Sequence, residues 1–297
     1  MRSESMTFDQ SHLKRISSLF VEELHDEDDG VLARRYLVEQ RSLDPEILRP
    51  YEVGFCPPWV KYPHQNKMSV DGHLWYMRGR LIVTIRDLWG RILGFNGRRV
   101  DACEEELETC LRSQYGNEMG MDMTREWSKR KWVNESYIKS NHVYNLDRRR
   151  RDILRTGSAV VVEGCMDAIV LDANGIHNVI STLGTTVSDI QMSLMRRYTN
   201  HLTLCFDPDL AGSENTRKIL ENARASGAMM STVIRLNGKM DPDEAILDPR
   251  EAPLLRWAIS NAPSPLREGR MIDLSNDSTR LAIRLLLKEE AKSATHD

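Results

Sequence analysis

Carboxylates recur at three places in the second half of the sequence, each just after a run of aliphatic and β-branched residues. The first is Glu163 in VVVEGCMD, with Asp167 one helical turn later. The second is the pair Asp207 and Asp209 in LCFDPDLAG, and the third is Asp241 and Asp243 in NGKMDPDE. Carboxylates held together repel one another unless a cation neutralises them. Mg²⁺ suits that task, because it prefers oxygen ligands, keeps several waters and shares its shell between a few carboxylates and phosphate oxygens. An Asp-x-Asp pair beyond a strand can aim two carboxylates at one ion or at two adjacent ions. Pro208 stiffens the link within the pair and Gly212 lets the backbone pass closely. Two such ions stabilise the attacking and leaving oxygens of a phosphoryl transfer. A single Asp-x-Asp is ordinarily a solvated turn, and Asp-Pro is common at helix starts. The recurrence at three strand ends is what points to a divalent-metal site.

The elements that must position these residues follow one after another from Ala159. Ala159 to Val162 reads as a buried strand and Met166 to Ala173 as a helix, with Gly175 just past its end. Asn178 to Thr182 is a second strand, and Ser188 with Gln191 forms a capping-box pattern that opens a helix. Leu202 to Phe206 is a third strand, Ser213 to Ser226 a helix, and Met230 to Leu236 a fourth strand. Strands alternating with helices predict a mostly parallel sheet covered on both faces, with function gathered at the carboxyl ends of its strands.

The first half is organised differently. Leu13, Ile16, Phe20 and Leu24 fall at helical spacing within residues 9 to 25, and a second helix is expected from Val31 to Arg41. A short helix opens at Asp44 and Pro45. RLIVTIRD, WGR and ILGFNGRR read as a β-hairpin turning at Leu88 to Gly90. Residues 101 to 130 lack a firm pattern and are expected to form a partly helical surface insertion. One further helix is expected from Asp277 to Glu290, where Leu281, Ile283, Leu285, Leu286 and Leu287 exceed what one apolar stripe needs.

At 297 residues with 40% hydrophobic content, the chain can bury a real core divided into two or three subdomains. No apolar run is long enough to span a bilayer and no leader opens the chain, so a cytoplasmic location is expected and no membrane partner. The five cysteines form no Cys-x-x-Cys pair, which supports neither a structural zinc nor a disulfide framework. The net charge of −3 conceals basic stretches at Arg78–Arg99, Arg125–Lys139 and Arg148–Arg155, so bulk charge decides nothing about nucleic acid. Trp127, Trp132, Tyr137 and Tyr144 are interspersed with the second stretch and its sequel; such rings can stack on unpaired bases, but Trp132 and Tyr144 are expected in the core.

Three stretches, VVVEGCMDAIVLDANGI, STLGTTVSDIQMSLMRRYTNHLTLCFDPDLAG and NGKMDPDEAI, resemble the TOPRIM domain and, within it, the bacterial DnaG-type primases. Met240, inserted between Lys239 and Asp241, departs from that pattern. Upstream, YLVEQRSLDPEILRPYEVGFCP, GRLIVTIRDLWGRILGFNGRR and KWVNESYIKSNHVYNL resemble the primase amino-terminal subdomain, so the likeness spans roughly residues 31 to 247. The resemblance implies an α/β TOPRIM domain, preceded by an α+β subdomain and followed by a short helical tail. Its implied boundaries are a helical extension at 1–30, the amino-terminal subdomain at 31–154, the TOPRIM domain at 155–250 and a helical segment at 251–297.

The resemblance also implies an activity: synthesis of short RNA primers on a single-stranded DNA template from NTPs. Glu163, Asp207 and Asp209 would be catalytic and would organise Mg²⁺, or Mn²⁺ in its place, with Asp167, Asp241 and Asp243 completing the acidic face. Glu163 is also the implied acid/base. Arg86, Arg98, Lys131, Asn134, Lys139 and Lys239 would contact triphosphate or template. The family's zinc-binding domain and helicase-binding domain have no counterpart in this sequence. A replicative helicase and a separate zinc-binding start-site factor are therefore the candidate partners, in a bacterial cell or a phage-infected host. The alternatives are a metal-dependent TOPRIM nuclease and a non-catalytic nucleic-acid or replisome binder.

Overall fold

The computed structural model describes residues 10–59, 75–135, 137–184, 186–207, 216–221, 230–238, 240–263 and 271–293. Asp209, Lys239 and most of the helix expected from Ser213 to Ser226 lie outside them. The chain divides into two compact units, Met1–Asp87 with Arg91–Tyr137, and Leu88–Gly90 with Ile138–Asp297.

In the first unit, helix α1 (Gln10–His25) turns Leu13, Ile16, Phe20 and Leu24 inward, as its spacing predicts. Helix α2 (Val31–Arg35) continues into a π-helical turn over Tyr36–Gln40, and Asp44 caps the following 3-10 turn by accepting from the Glu46 amide at 2.9 Å. Strands β1 (Val53–Cys56), β2 (Arg80–Arg86) and β3 (Ile92–Arg99) pair antiparallel, and β4 (Trp132–Glu135) follows helices α3 (Glu104–Tyr115) and α4 (Asn117–Ser128) to complete the sheet. The expected hairpin is the β2–β3 pair. Helix α1 packs on this sheet, where Phe20 meets Phe95 edge to face at 5.4 Å.

Helices α3 and α4 correct the expectation for residues 101 to 130. They form a well-defined antiparallel helical pair broken at Gly116, whose φ of +90° suits glycine. The pair was hard to read because α3 buries only Leu107 and Leu111, too thin a stripe for clear periodicity. Trp127 from α4 completes that small core at 1% exposure, and its indole N–H donates to the Arg78 carbonyl at 2.8 Å. It is therefore core and not a base-stacking ring. Arg80 lies over the Trp127 ring at 5.0 Å and donates to the carbonyls of Tyr76, Trp127 and Arg130.

In the second unit, α5 (Leu146–Thr156) leads into β5 (Ser158–Val162), α6 (Cys165–Ala173), β6 (Val179–Ser181), α7 (Asp189–Arg196), β7 (His201–Leu204), a helical stretch at 216–221 (α8) and β8 (Met230–Arg235). Helices α9 (Pro242–Leu247) and α10 (Ala252–Asn261), strand β9 (Met271–Asp273) and helix α11 (Asp277–Ser293) follow. The sheet order is β6-β5-β7-β8-β9 and every pair is parallel. The four expected strands are all present. The fifth, β9, was not expected, because a three-residue strand with only Ile272 buried carries no periodic signal. Helix α11 extends a little past its expected end, leaves Leu281, Leu285 and Leu286 exposed, and is tied down through Arg280, which pairs with Glu251 at 2.5 Å. Among the described residues no helix is long and apolar enough to cross a membrane.

Two measurements test this packing. Trp127→Ala should cost about 3–5 kcal/mol in urea unfolding, because it empties the α3–α4 core and strips Arg80 of its ring. Glu23 is pushed up to about 7 by its burial and then by Asp29 and Asp26. An unfolded glutamate ionises near 4.5, so between those values ionisation favours the unfolded chain and this group's contribution falls as pH rises to about 7. Glu23→Gln should therefore raise the melting temperature at pH 8, with a gain that vanishes as pH approaches 4.5.

Candidate functional site

Glu163 and Asp207 emerge at one edge because the strands that carry them run the same way. Val161 of β5 pairs with Leu204 of β7. Glu163 lies two residues beyond that pair and Asp207 three beyond it, so both leave the sheet at its carboxyl edge. Glu163 is buried at 6% exposure and Asp207 is half-buried. The Cys205 thiol, fully enclosed just before Asp207, is pushed upward first by burial and then by the charges of Asp167 and Asp207.

Asp167 stands in the first turn of α6, and its carboxylate accepts the Gly164 amide at 3.2 Å. A Cβ at position 164 would sit 2.5 Å from that carboxylate oxygen, so the Glu-Gly turn needs its glycine for Asp167 to fold back. Helix α9, which packs against α6, has Asp241 at its N-cap and buries Asp243 at 2% exposure. Asp243 accepts the Glu244 amide at 2.8 Å, while the Asp241 amide donates to the Glu244 carboxylate at 3.3 Å. These two aspartates thus serve the start of α9.

The strand end that carries Glu163 is held by its neighbour. Ser181, the last residue of β6, donates its hydroxyl to the Glu163 carbonyl at 2.7 Å and accepts the Leu183 amide at 3.0 Å. The Gly184 amide also donates to the Glu163 carbonyl at 3.1 Å. Leu183 takes a left-handed φ of +61° to make this turn, a conformation that non-glycine residues adopt at a cost. Ser181 is a functional residue that no motif in the sequence marks. A serine closing a wholly apolar, buried strand was the available signal.

Among the described residues no group of three His, Cys, Asp or Glu side chains is assembled to hold a metal ion. Asp209, which would supply the second carboxylate of its pair, lies outside them. The donor chemistry itself suits a hard divalent cation, since the expected set is carboxylate oxygen throughout.

The expected basic residues fall into separate settings. Arg86 is tied to Glu52 by two guanidinium–carboxylate bonds. Arg98 lies over the Trp132 ring at 5.4 Å and donates to the Tyr36 hydroxyl at 3.2 Å. Arg98 and exposed Lys131 open onto a cavity of about 220 Å³ with Tyr36, Arg41, Arg99 and Asp101. Arg41 and Arg99 were not singled out in the sequence, although Arg99 adjoins Arg98 in GRR. Asn134 stands opposite Asn96 in the β3–β4 register. Lys139, half-buried, begins a 3-10 turn in the second unit. Of the remaining rings, Tyr144 is buried at 4% exposure, and the Tyr137 hydroxyl bonds the Asn96 side chain.

The Toprim-like family matches residues 160–246, the span holding this acidic edge. The chain is 30% identical over 237 residues to a DNA primase of Staphylococcus aureus (strain COL), covering 73% of this chain and 36% of that protein. It thus spans about a third of the length of that curated relative. Two solved structures share the fold. The DnaG catalytic core covers 93% of this chain and 89% of its own at a TM-score of 0.62 and 24% identity. The DnaG primase catalytic domain bound to single-stranded DNA covers 85% and 78% at a TM-score of 0.62 and 23% identity.

Ser181→Ala removes a buried hydroxyl that joins the Glu163 carbonyl to the Leu183 amide, leaving that amide without its acceptor. It should cost about 1–3 kcal/mol in urea unfolding.

Proposed function

This chain is a DNA primase homologue carrying a Toprim-like domain, and from that premise we propose that it synthesises short RNA primers on single-stranded DNA from NTPs. The reading rests most heavily on Glu163 and Asp207, which leave adjacent parallel strands at one edge, in a chain whose other unit presents the Arg98–Lys131 cavity. The reaction class is nucleotidyl transfer. Glu163, Asp207 and Asp209 would hold Mg²⁺, with Asp167, Asp241 and Asp243 adding negative charge around them. When bound, such an ion neutralises charge that develops on phosphate oxygens during transfer.

The chain's own groups have distinct tasks in this reading. Glu163, buried at the end of β5, is the group read as accepting and returning a proton. Lys131, Lys139 and Lys239 would contact phosphates as point charges, while Arg98 offers a planar guanidinium already oriented by Trp132 and Tyr36. Arg86, whose charge Glu52 balances, would order the end of β2 more than attract a polyanion. Asn134 would contribute a neutral hydrogen-bonding group. A replicative helicase and a zinc-binding start-site factor remain the proposed partners.

The test is primer synthesis on single-stranded DNA with labelled NTPs and Mg²⁺ or Mn²⁺. Short RNA products are expected from the unsubstituted chain. Glu163→Gln should reduce them by about 10²–10⁴-fold, the usual worth of a positioned proton-transfer group, and Asp207→Ala should abolish them. Cleavage of the template in the same reactions, lost in Asp207→Ala, would replace this reading with a nuclease. Template binding with neither product would leave a binding protein.

A further inference from the structure

One buried side chain joins the turn that carries Lys139 to the loop that fixes Glu163. Gln191 sits at the third position of α7 and is wholly enclosed, at 0% exposure. Its Oε1 accepts the Ser188 amide at 3.0 Å, and its backbone N–H donates to the Ser188 hydroxyl at 3.1 Å, the reciprocal pattern of a capping box. Capping needs nothing from the other end of the side chain. Yet the Gln191 side-chain Nε2 donates to the carbonyls of Thr182 at 2.8 Å, His142 at 2.8 Å and Lys139 at 3.3 Å.

Those three carbonyls belong to two different segments. Lys139 and His142 bracket the 3-10 turn Lys139–Asn141, which the Ser188 hydroxyl also reaches by donating to the Ser140 carbonyl. Thr182 follows Ser181, whose hydroxyl grips the Glu163 carbonyl, and precedes left-handed Leu183. Farther along, Tyr144 and Ser181 exchange both backbone hydrogen bonds at 2.9 and 3.1 Å. The turn and the loop are therefore sewn together at one end by backbone and at the other by a single amide group. A side-chain NH₂ has only two hydrogens, so its engagement with three buried carbonyls fixes it tightly.

We propose that Gln191 is a positioning residue, which holds the Lys139 turn in a fixed relation to the Glu163 strand end so that phosphate contact and acidic edge are presented together. This rests on the reading of Lys139 as a triphosphate contact. Gln191 acts through Lys139 and touches no substrate.

The test is ATP binding by the full chain in the presence of Mg²⁺, measured by calorimetry on Lys139→Ala, Gln191→Met, the double variant and the unsubstituted chain. Melting temperatures confirm that each variant is folded. Each single substitution should weaken binding about tenfold, which corresponds to one lost charge-assisted contact. The double variant should bind no more weakly than Lys139→Ala alone, because both changes remove the same contact. A double variant about 100-fold weaker, or Gln191→Met binding as tightly as the unsubstituted chain, would overturn the proposal while leaving the reading of Lys139 intact. Failure of the unsubstituted chain to bind ATP would overturn that reading, and the proposal with it.

Gln191→Glu keeps the capping acceptor and removes the two donor hydrogens, so it serves if the methionine variant does not fold. Its ATP binding, relative to the unsubstituted chain at the same pH, should recover as the pH is lowered and the carboxyl regains a proton to donate. A purely structural role for Gln191 would show no such recovery, and its absence would also count against the proposal.

Discussion

Parallel pairing of β5, β6, β7 and β8 is the constraint from which the site follows. Hydrogen-bonded neighbours that run the same way must end at the same edge, and here Val161 stands in register with both Ile180 and Leu204. That register brings Glu163 and Asp207 out of the sheet within one residue of each other. It is strongly determined, because helices cover the sheet and β5, β6 and β7 are buried along their whole length. Shifting one strand would leave its end residues stranded against apolar neighbours. Apolar burial thus decides where the carboxylates emerge, although no apolar atom takes part in what they do.

Fine position at that edge is decided by a different kind of interaction. Apolar side chains fit a pleated sheet in more ways than one, whereas a buried hydroxyl or amide must find a partner at a defined distance. Ser181, Gln191 and Thr182 meet that demand at the carboxyl edge, and Asn145 and Asp172 meet it elsewhere in the same unit. Asp172, with 0% exposure, accepts from Asn145 at 2.9 Å and from Arg149 at 2.7 Å. The left-handed φ of Leu183 costs about 1–3 kcal/mol where nothing else demands it. Around it, two donors to the Glu163 carbonyl and the Ser181 acceptor fix the loop, so the strain is held by hydrogen bonds on both sides.

The alternating pattern of the second unit was legible because its strands are short, apolar and punctuated. Gly175 and the Ser188–Gln191 pair mark helix ends by simple physical rules, and the structure places those ends where the rules do. What the sequence did not reveal has a common cause. β9 buries one side chain, α3 buries two, and Trp127 reads as one more aromatic in a basic stretch until its partner helix is known. Each depends on a contact distant in sequence, which no local period encodes. The acidic edge was readable up to its geometry: the strand ends are visible in sequence, but the way Ser181 and Gly164 hold them requires the folded neighbours.

Basic residues show why a charge count misleads about nucleic acid. Arg80 reads as the start of a cationic hairpin, yet at 0% exposure its guanidinium is directed into a set of backbone carbonyls and an indole ring. Arg86, Arg91 and Arg99 each have a carboxylate within ion-pair distance, from Glu52, Asp87 and Asp101. Such pairs cancel most of the field that a polyanion would feel beyond about 10 Å. Lys131 is exposed, and Arg98 faces a hydroxyl and a ring, neither of which removes its charge. The net charge of −3 is compatible with a local phosphate-binding surface. A stretch of arginines in sequence becomes such a surface only where folding leaves the charge without a carboxylate beside it.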